Sequence, residues 1–250
     1  MGRAPVSSLR AVFDPDPIVR EHAGVLVVRD DLHFAGTKAR YLWRLFDQAE
    51  EIVYASPAEG GAQSALAAVA GRLGKRATIF VAKRAKPHDR SLLAKKFGAT
   101  VYQVSPGYLT VVQKRARDYC AATGAMLAPF GVDLPEAIDA IASAAARTGI
   151  EPDEVWCASG SGVLARGLAK AFPSARRHVV QVGRELSPED VAGARIHIAP
   201  LAFGAEAKSA PPFPSDPHYD AKAWAICAAH KGPGKVLFWN VTGPADQSPS

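Results

Sequence analysis

Apolar positions along this chain fall into short continuous runs separated by stretches with helical spacing. Val25-Leu-Val-Val28, Ile52-Val-Tyr-Ala55, Ala77-Thr-Ile-Phe-Val81, Thr100-Val-Tyr-Gln-Val104, Glu154-Val-Trp-Cys-Ala158, His178-Val-Val-Gln-Val182, Arg195-Ile-His-Ile198 and Val236-Leu-Phe-Trp239 read as strands. Most are continuous rather than alternating, the pattern of strands covered on both faces. Between them, apolar residues at helical spacing predict helices over 64–73, 89–97, 109–122, 134–148, 163–172 and 220–230, with another beginning near residue 38. Met126-Leu-Ala-Pro-Phe130 is strand-like, 209–217 is a Pro-rich loop, and residues 1–24 read as an irregular lead-in around Asp14-Pro-Asp-Pro17. The tail 244–250 is expected to be disordered. Strands alternating with helices predict an α/β fold with parallel sheets covered by helices, whose ligands collect at the carboxyl ends of the strands.

Three stretches at such ends carry candidate chemistry. In Phe34-Ala-Gly-Thr-Lys-Ala-Arg-Tyr-Leu-Trp-Arg-Leu-Phe46, Gly36 and Thr37 read as a turn and an N-cap, which places Lys38 in the first helical turn. The positive end of the helix dipole disfavours an ammonium there, and a neutral amine is what attacks an aldehyde; the alternative is a solvated surface lysine. In Cys157-Ala-Ser-Gly-Ser-Gly-Val-Leu164, Ser159, Gly160, Ser161 and Gly162 lie between a strand and a helix, the setting of a phosphate cradle. The stretch lacks the lysine of a P-loop and the spacing of a dinucleotide site, so a small monophosphate suits it best. Ser56-Pro-Ala-Glu-Gly-Gly-Ala-Gln-Ser64 repeats the strand-to-helix setting with Gly60, Gly61, Gln63 and Ser64, and fits either a ligand loop or simple turn geometry. Near the end of the chain, Asp216-Pro-His-Tyr-Asp-Ala-Lys-Ala-Trp224 offers Tyr219 to cover a ring or move a proton. Asp220, or Thr242 in Lys235-Val-Leu-Phe-Trp-Asn-Val-Thr-Gly243, is placed to meet a ring nitrogen.

Composition narrows the class. At 250 residues, 48% hydrophobic and 22% charged, the chain is ordinary for a globular protein. Cys120, Cys157 and Cys227 are far apart, which argues against a disulfide framework or a zinc site, so no metal is expected. No run approaches the ~20 apolar residues of a membrane span, and no signal peptide is evident, so a cytoplasmic protein is expected. The net charge of +6 is unevenly placed: residues 72–117 carry twelve Lys or Arg against the single acid Asp89. A polyanion such as nucleic acid explains that segment, and so does a solvated face.

The order of these pieces resembles the pyridoxal-phosphate enzymes of fold type II, the tryptophan-synthase β-like superfamily. Gly-Thr-Lys-Ala-Arg-Tyr-Leu, Asp-Pro-His-Tyr-Asp-Ala-Lys-Ala and Val-Leu-Phe-Trp-Asn-Val-Thr-Gly are most similar to its aminocyclopropane-carboxylate deaminase and D-cysteine desulfhydrase branch. The resemblance implies two subdomains, a larger cofactor-binding one from 25–60 and 125–243 and a smaller basic one from 61–124. It implies pyridoxal 5'-phosphate as cofactor, with Lys38 joined to the aldehyde, Ser159 to Gly162 on the phosphate, Thr242 with Asp220 at the ring nitrogen, and Tyr219 flanking the substrate. It also implies a homodimer. Where the family's loop offers an asparagine, this chain has Gly60-Gly61-Ala-Gln63-Ser64, and Gln63 or Ser64 stands as the substrate-binding substitute.

The chain is shorter than typical members, and its economy is similar to that of compact fold type II proteins in phage thymidine hypermodification. That likeness implies an isomerase moving a glycyl group on a thymine base of DNA from nitrogen to carbon linkage, with 72–117 as the nucleic-acid face and a phage-infected host's cytoplasm as location. The alternatives are a deaminase or β-eliminating lyase acting on a free small amino acid, and a non-catalytic binding protein that keeps the fold.

Overall fold

The computed structural model describes residues 6–105 and 107–245, and the last five residues of the predicted disordered tail lie outside that range. In chain order the elements are α1 (Val6–Phe13), β1 (Val19–His22), β2 (Val25–Arg29), α2 (Ala39–Leu45), β3 (Glu51–Ser56), α3 (Ala62–Leu73) and β4 (Arg76–Ala82). They continue with α4 (Asp89–Lys96), β5 (Thr100–Val104), α5 (Leu109–Thr123), β6 (Met126–Leu127), α6 (Pro135–Ala146) and β7 (Glu154–Ser159). The last are α7 (Val163–Ala171), β8 (Arg176–Gln181), β9 (Arg195–Ile198), α8 (Asp220–His230) and β10 (Val236–Asn240). The chain divides into two compact units, one drawn from Met1–Arg40 and Asp133–Ser250 and the other from Tyr41–Val132. The smaller unit thus includes β3 and β6 as well as the elements between residues 61 and 124.

The larger unit is built on a six-stranded sheet in the order β1-β2-β10-β7-β8-β9. Its central strands β10 and β7 are buried at every position, as continuous apolar runs require. Leu237 of β10 sits beside Leu26 of β2 and Val155 of β7, all three strands running parallel. One core gathers Val25, Val27, Trp156, Val180, Phe213, Trp224, Cys227 and Phe238. Elsewhere in the unit, α6 and α7 approach so closely that a Cβ on Gly167 would lie 2.4 Å from Ile141 Cγ2.

Two expectations are corrected here. The lead-in is not irregular: it forms α1 and β1, and β1 pairs antiparallel with β2, so this sheet is mixed rather than wholly parallel. Both elements are short. Val19-Arg-Glu-His22 carries too little apolar surface to show as a strand, and backbone pairing decides it.

The smaller unit has a parallel sheet in the order β5-β4-β3-β6. Val53, Ala55, Phe80, Val104, Val112 and Ala116 form a core between this sheet and α5. The strand expected over 126–130 is confined to Met126–Leu127, because Pro129 supplies no N–H and Gly131 turns the chain at φ 71°. Among the described residues no helix is long and apolar enough to cross a membrane.

Candidate active site

The larger unit delivers three loops to one edge. Strands β2, β10 and β7 are neighbours and parallel, so the segments that follow them, 30–38, 241–243 and 160–162, leave from adjacent carboxyl ends. The start of α8 reaches the same place, because the Asp220 carboxylate accepts hydrogen bonds from the backbone N–H groups of Val241 (3.1 Å) and Thr242 (3.3 Å).

Lys38 lies in the turn immediately before α2, half-buried, between two anchored residues. The Thr37 N–H donates to the Val241 carbonyl at 2.9 Å. The Thr37 hydroxyl does not cap the helix as expected; it donates to Asp30 Oδ2 at 2.7 Å and accepts from Trp239 Nε1 at 2.9 Å. On the other side Arg40 is 1% exposed and bound by two carboxylates, Nη2 to Asp30 Oδ1 at 2.6 Å and Nη1 to Asp14 Oδ1 at 2.9 Å. Buried guanidinium and carboxylates of this kind are tolerated only when their donors and acceptors are matched, and here they are. Gly36 is required where it stands: its φ is 66°, and a Cβ would lie 2.5 Å from the Val241 carbonyl oxygen and 3.2 Å from Thr242 Oγ1. The Lys38 turn is therefore packed directly on Val241 and Thr242.

Asp220 is wholly buried, and its two oxygens differ. Oδ2 takes the two backbone N–H groups, whereas Oδ1 has no hydrogen-bond partner among the described residues. Burial first, and then the Asp216 carboxylate, hold the Asp220 carboxyl well above the usual range, against the opposing pull of the two N–H groups and the Lys38 charge. A buried polar atom left without a partner marks a place where a ligand completes the structure.

The glycine turn after β7 has the build of an anion site. Ser159 Oγ accepts from the Gly162 N–H at 2.9 Å, no side chain caps the first turn of α7, and Gly162 has φ 88°. The first-turn N–H groups of α7 are thus left without a side-chain cap at the positive end of the helix. Tyr219 closes one side: its hydroxyl would lie 3.9 Å, and its Cε2 3.8 Å, from a Cβ placed on Gly160. A side chain at Gly160 would fill the space between the turn and that ring. Two residues here were not legible in the sequence. Arg184, following β8, reaches Asp190 Oδ1 at 2.8 Å and the Ser161 carbonyl at 3.5 Å. Lys222 is 3% exposed, and its ammonium donates to the Ala202 carbonyl at 2.8 Å and the Phe203 carbonyl at 3.3 Å, Phe203 being a neighbour of Tyr219.

The second glycine turn belongs to the smaller unit, and its side chains turn inward. Gln63 is fully buried; Nε2 donates to the Ala58 carbonyl at 2.7 Å and Oε1 accepts from Ser91 Oγ at 2.9 Å. Ser64 Oγ donates to the Gly61 carbonyl at 3.2 Å. A Cβ on Gly60 would lie 2.9 Å from Ser56 Oγ. Gln63 and Ser64, the residues expected to meet a substrate, both brace their own turn through these bonds.

The residues of the larger unit fit pyridoxal phosphate. Asp220 Oδ1 awaits a partner, Ser159 to Gly162 with α7 suit the phosphate, and Lys38 offers the amine on the turn that packs against Thr242. Among the described residues, no group of three or more His, Cys, Asp or Glu is placed to hold a metal ion.

Comparison with known proteins agrees with that fit. No curated protein sequence matches the chain. Among solved structures, an ACC deaminase homologue superposes with a TM-score of 0.77 at 17% identity, covering 94% of each chain. Escherichia coli diaminopropionate ammonia lyase in its apo form gives a TM-score of 0.65 at 16% identity, over 96% of this chain and 82% of that one. Maize serine racemase gives 0.66 at 13% identity, over 95% and 91%. These likenesses establish the fold, that of the fold type II enzymes. A model of the family described as "Pyridoxal-phosphate dependent enzyme" matches residues 16–232, nearly the whole sequence, and on that match this chain belongs to the pyridoxal-phosphate dependent enzyme family.

Proposed function

We propose that the protein removes a proton from, and returns one to, the α-carbon of an amino-acid group. Bound pyridoxal phosphate supplies a ring that draws electron density from that carbon, so that its proton can leave. The observation that carries the reading is Asp220, a buried carboxyl fixed through Oδ2 and open at Oδ1, whose surroundings favour its protonated form. A carboxyl in that state donates a hydrogen bond to a ring nitrogen and increases the ring's demand for electrons. Lys38 holds the proton in transit, since its amine is the basic group on the turn packed against Thr242. The Tyr219 hydroxyl, beside Gly160, is the second group able to hold a proton there. Ser159 to Gly162 bind and orient the phosphate, and Thr242 lies next to Asp220.

The basic segment 72–117 favours a narrower version, in which the amino-acid group is a glycyl carried on a thymine base of DNA and the outcome is isomerisation. The same machinery acting on a free amino acid gives a deaminase, lyase or racemase. Incubation of the holoenzyme in D2O with small amino acids, and separately with a glycyl-bearing oligonucleotide, tests the proposal by the loss of the α-proton signal in NMR. Exchange that disappears in Lys38→Ala supports it. Exchange confined to the oligonucleotide, with altered retention and no mass change beyond the incorporated deuterium, selects the isomerase, and release of a keto acid selects the lyase. Absence of exchange with every substrate overturns the reading and leaves a binding protein with this fold.

A further inference from the structure

A second feature lies wholly within the smaller unit, on the edge of its sheet. Strand β5 is the outer strand, and three of its five residues are exposed. In register, Tyr102 stands beside Phe80 of β4, with ring centroids 5.0 Å apart and planes at 27°. Tyr119 of α5 completes the group, 5.6 Å from Phe80 and 5.9 Å from Tyr102. The three rings border a cavity of about 500 Å³, together with Gln103, Ser105 and Arg115.

The rings are held, yet one keeps a face to solvent. Tyr119 donates its hydroxyl to Glu51 Oε1 at 2.8 Å, and the same oxygen accepts from Thr78 at 2.7 Å. Burial opposes a charge on Glu51, but the bonds from Thr78, Tyr119 and Arg76 outweigh it and keep the carboxylate ionised. Tyr102 is 44% exposed. An anchored aromatic group with an open π-face is a stacking platform, and amide and hydroxyl groups beside it supply donors and acceptors for the edge of a flat heterocycle.

Charge identifies the occupant. Of the twelve cations between residues 72 and 117, Lys75, Arg76, Arg84 and Lys114 pair with carboxylates, whereas Lys83, Lys86, Lys95, Lys96, Arg115 and Arg117 are exposed and form no ion pair among the described residues. Arg115 lines the cavity itself. Lys83 follows β4 where its N–H meets the Val104 carbonyl of β5 at 2.8 Å, beside Ser105. Stacking rings, hydrogen-bonding groups and unpaired cations at one strand edge match a ligand with a flat base and a phosphate.

We propose that the cavity between β5 and α5 binds a base of single-stranded nucleic acid, stacked on Tyr102, with Arg115 and Lys83 on the flanking phosphates. A single strand fits better than a duplex, because a paired and stacked base presents no free face to the tyrosine. The proposal does not rest on the chemistry at Lys38 and holds whether the amino acid is free or DNA-linked.

Fluorescence anisotropy of the full-length holoprotein with a labelled oligothymidylate of about 12 nucleotides tests it. Binding is expected at about 50 mM salt and is expected to weaken steeply by about 200 mM. Tyr102→Ala should weaken it about tenfold or more, and Arg115→Ala should lower the slope of log affinity against log salt by about one. Arg115 is exposed, so its variant stays informative even if Tyr102→Ala disturbs Phe80 and Tyr119. A duplex of the same sequence should bind more weakly, and α-proton exchange on a free amino acid should be unchanged in both variants. The proposal is overturned if the oligonucleotide stays unbound at low salt, or if Tyr102→Ala and Arg115→Ala bind it as the parent does. It is likewise overturned if the protein is a dimer that Tyr102→Ala dissociates while no oligonucleotide binds, since the face then belongs to a second copy of the chain.

Discussion

Two glycine-rich turns in this molecule look alike in sequence and satisfy their donors and acceptors in different ways. The turn after β7 and the turn after β3 each follow a fully buried strand, each open a helix, and each mix Gly with Ser. In the first, one internal bond, Gly162 N–H to Ser159 Oγ, shapes the loop and the start of α7 stays uncapped. In the second, Gln63 ties Ala58 to Ser91 and Ser64 returns to Gly61, so the side chains satisfy the loop itself. What separates a ligand cradle from a structural turn is thus which of its donors and acceptors are already matched.

The largest test of this contrast is a pair of alanine substitutions. Gly162→Ala forces a side chain into φ 88° with a Cβ 2.0 Å from the Asp190 carbonyl oxygen. Denaturant unfolding should register a loss of about 3 kcal/mol, with cofactor affinity falling about tenfold or more. Gly60→Ala meets the rotatable Ser56 hydroxyl at 2.9 Å and the Pro57 carbonyl oxygen at 3.2 Å, and should cost about 1 kcal/mol with little change in cofactor binding. Equal effects at both sites would erase the distinction.

Next in size is Gln63→Ala. It strands the Ser91 hydroxyl and the Ala58 carbonyl in a buried place, so about 2 kcal/mol should be lost from stability. Cofactor titration should be unaffected; a variant of undiminished stability that turns substrate over poorly would return Gln63 to the substrate.

Asp220→Asn gives a smaller, pH-dependent effect in the cofactor-free protein. Because burial holds the folded carboxyl well above its ordinary value of 3.8, the folded state keeps a proton that the unfolded chain has lost. Stability from this group is complete below that value and declines as pH rises above it. Asparagine removes the decline, so the variant's advantage should widen as pH rises from about 4 and vanish below it. A gap that is constant with pH would mean that Asp220 is not held protonated. The smallest effect belongs to Arg184→Ala, which loosens the Ser161 turn from an exposed position and should weaken cofactor binding by about twofold, as measured by fluorescence titration.

Much of this architecture was legible because continuous apolar runs such as Val236-Leu-Phe-Trp239 and Glu154-Val-Trp-Cys-Ala158 carry their own evidence of burial. Lys38, Ser159 to Gly162, Tyr219, Asp220 and Thr242 could be singled out because chemistry-bearing residues stood at strand ends. Partner choice across long sequence separations could not be read. Gln63 finds Ser91, Thr37 finds Trp239, and Arg40 lies between Asp14 and Asp30, pairings that only the folded chain defines. Segment 1–24 was missed for the same reason: β1 exists through its ladder to β2 rather than through its own composition.

The residues flanking Lys38 set how that amine can travel. Thr37 and Arg40 fasten the main chain on either side to carboxylates and to β10, so a hinge there would have to break buried charge pairs. On that fixed main chain, displacement of the amine falls to the bonds of the four-carbon stem. In the reading proposed above, shuttling by this lysine is a side-chain movement on a stationary backbone and needs no opening of its own turn.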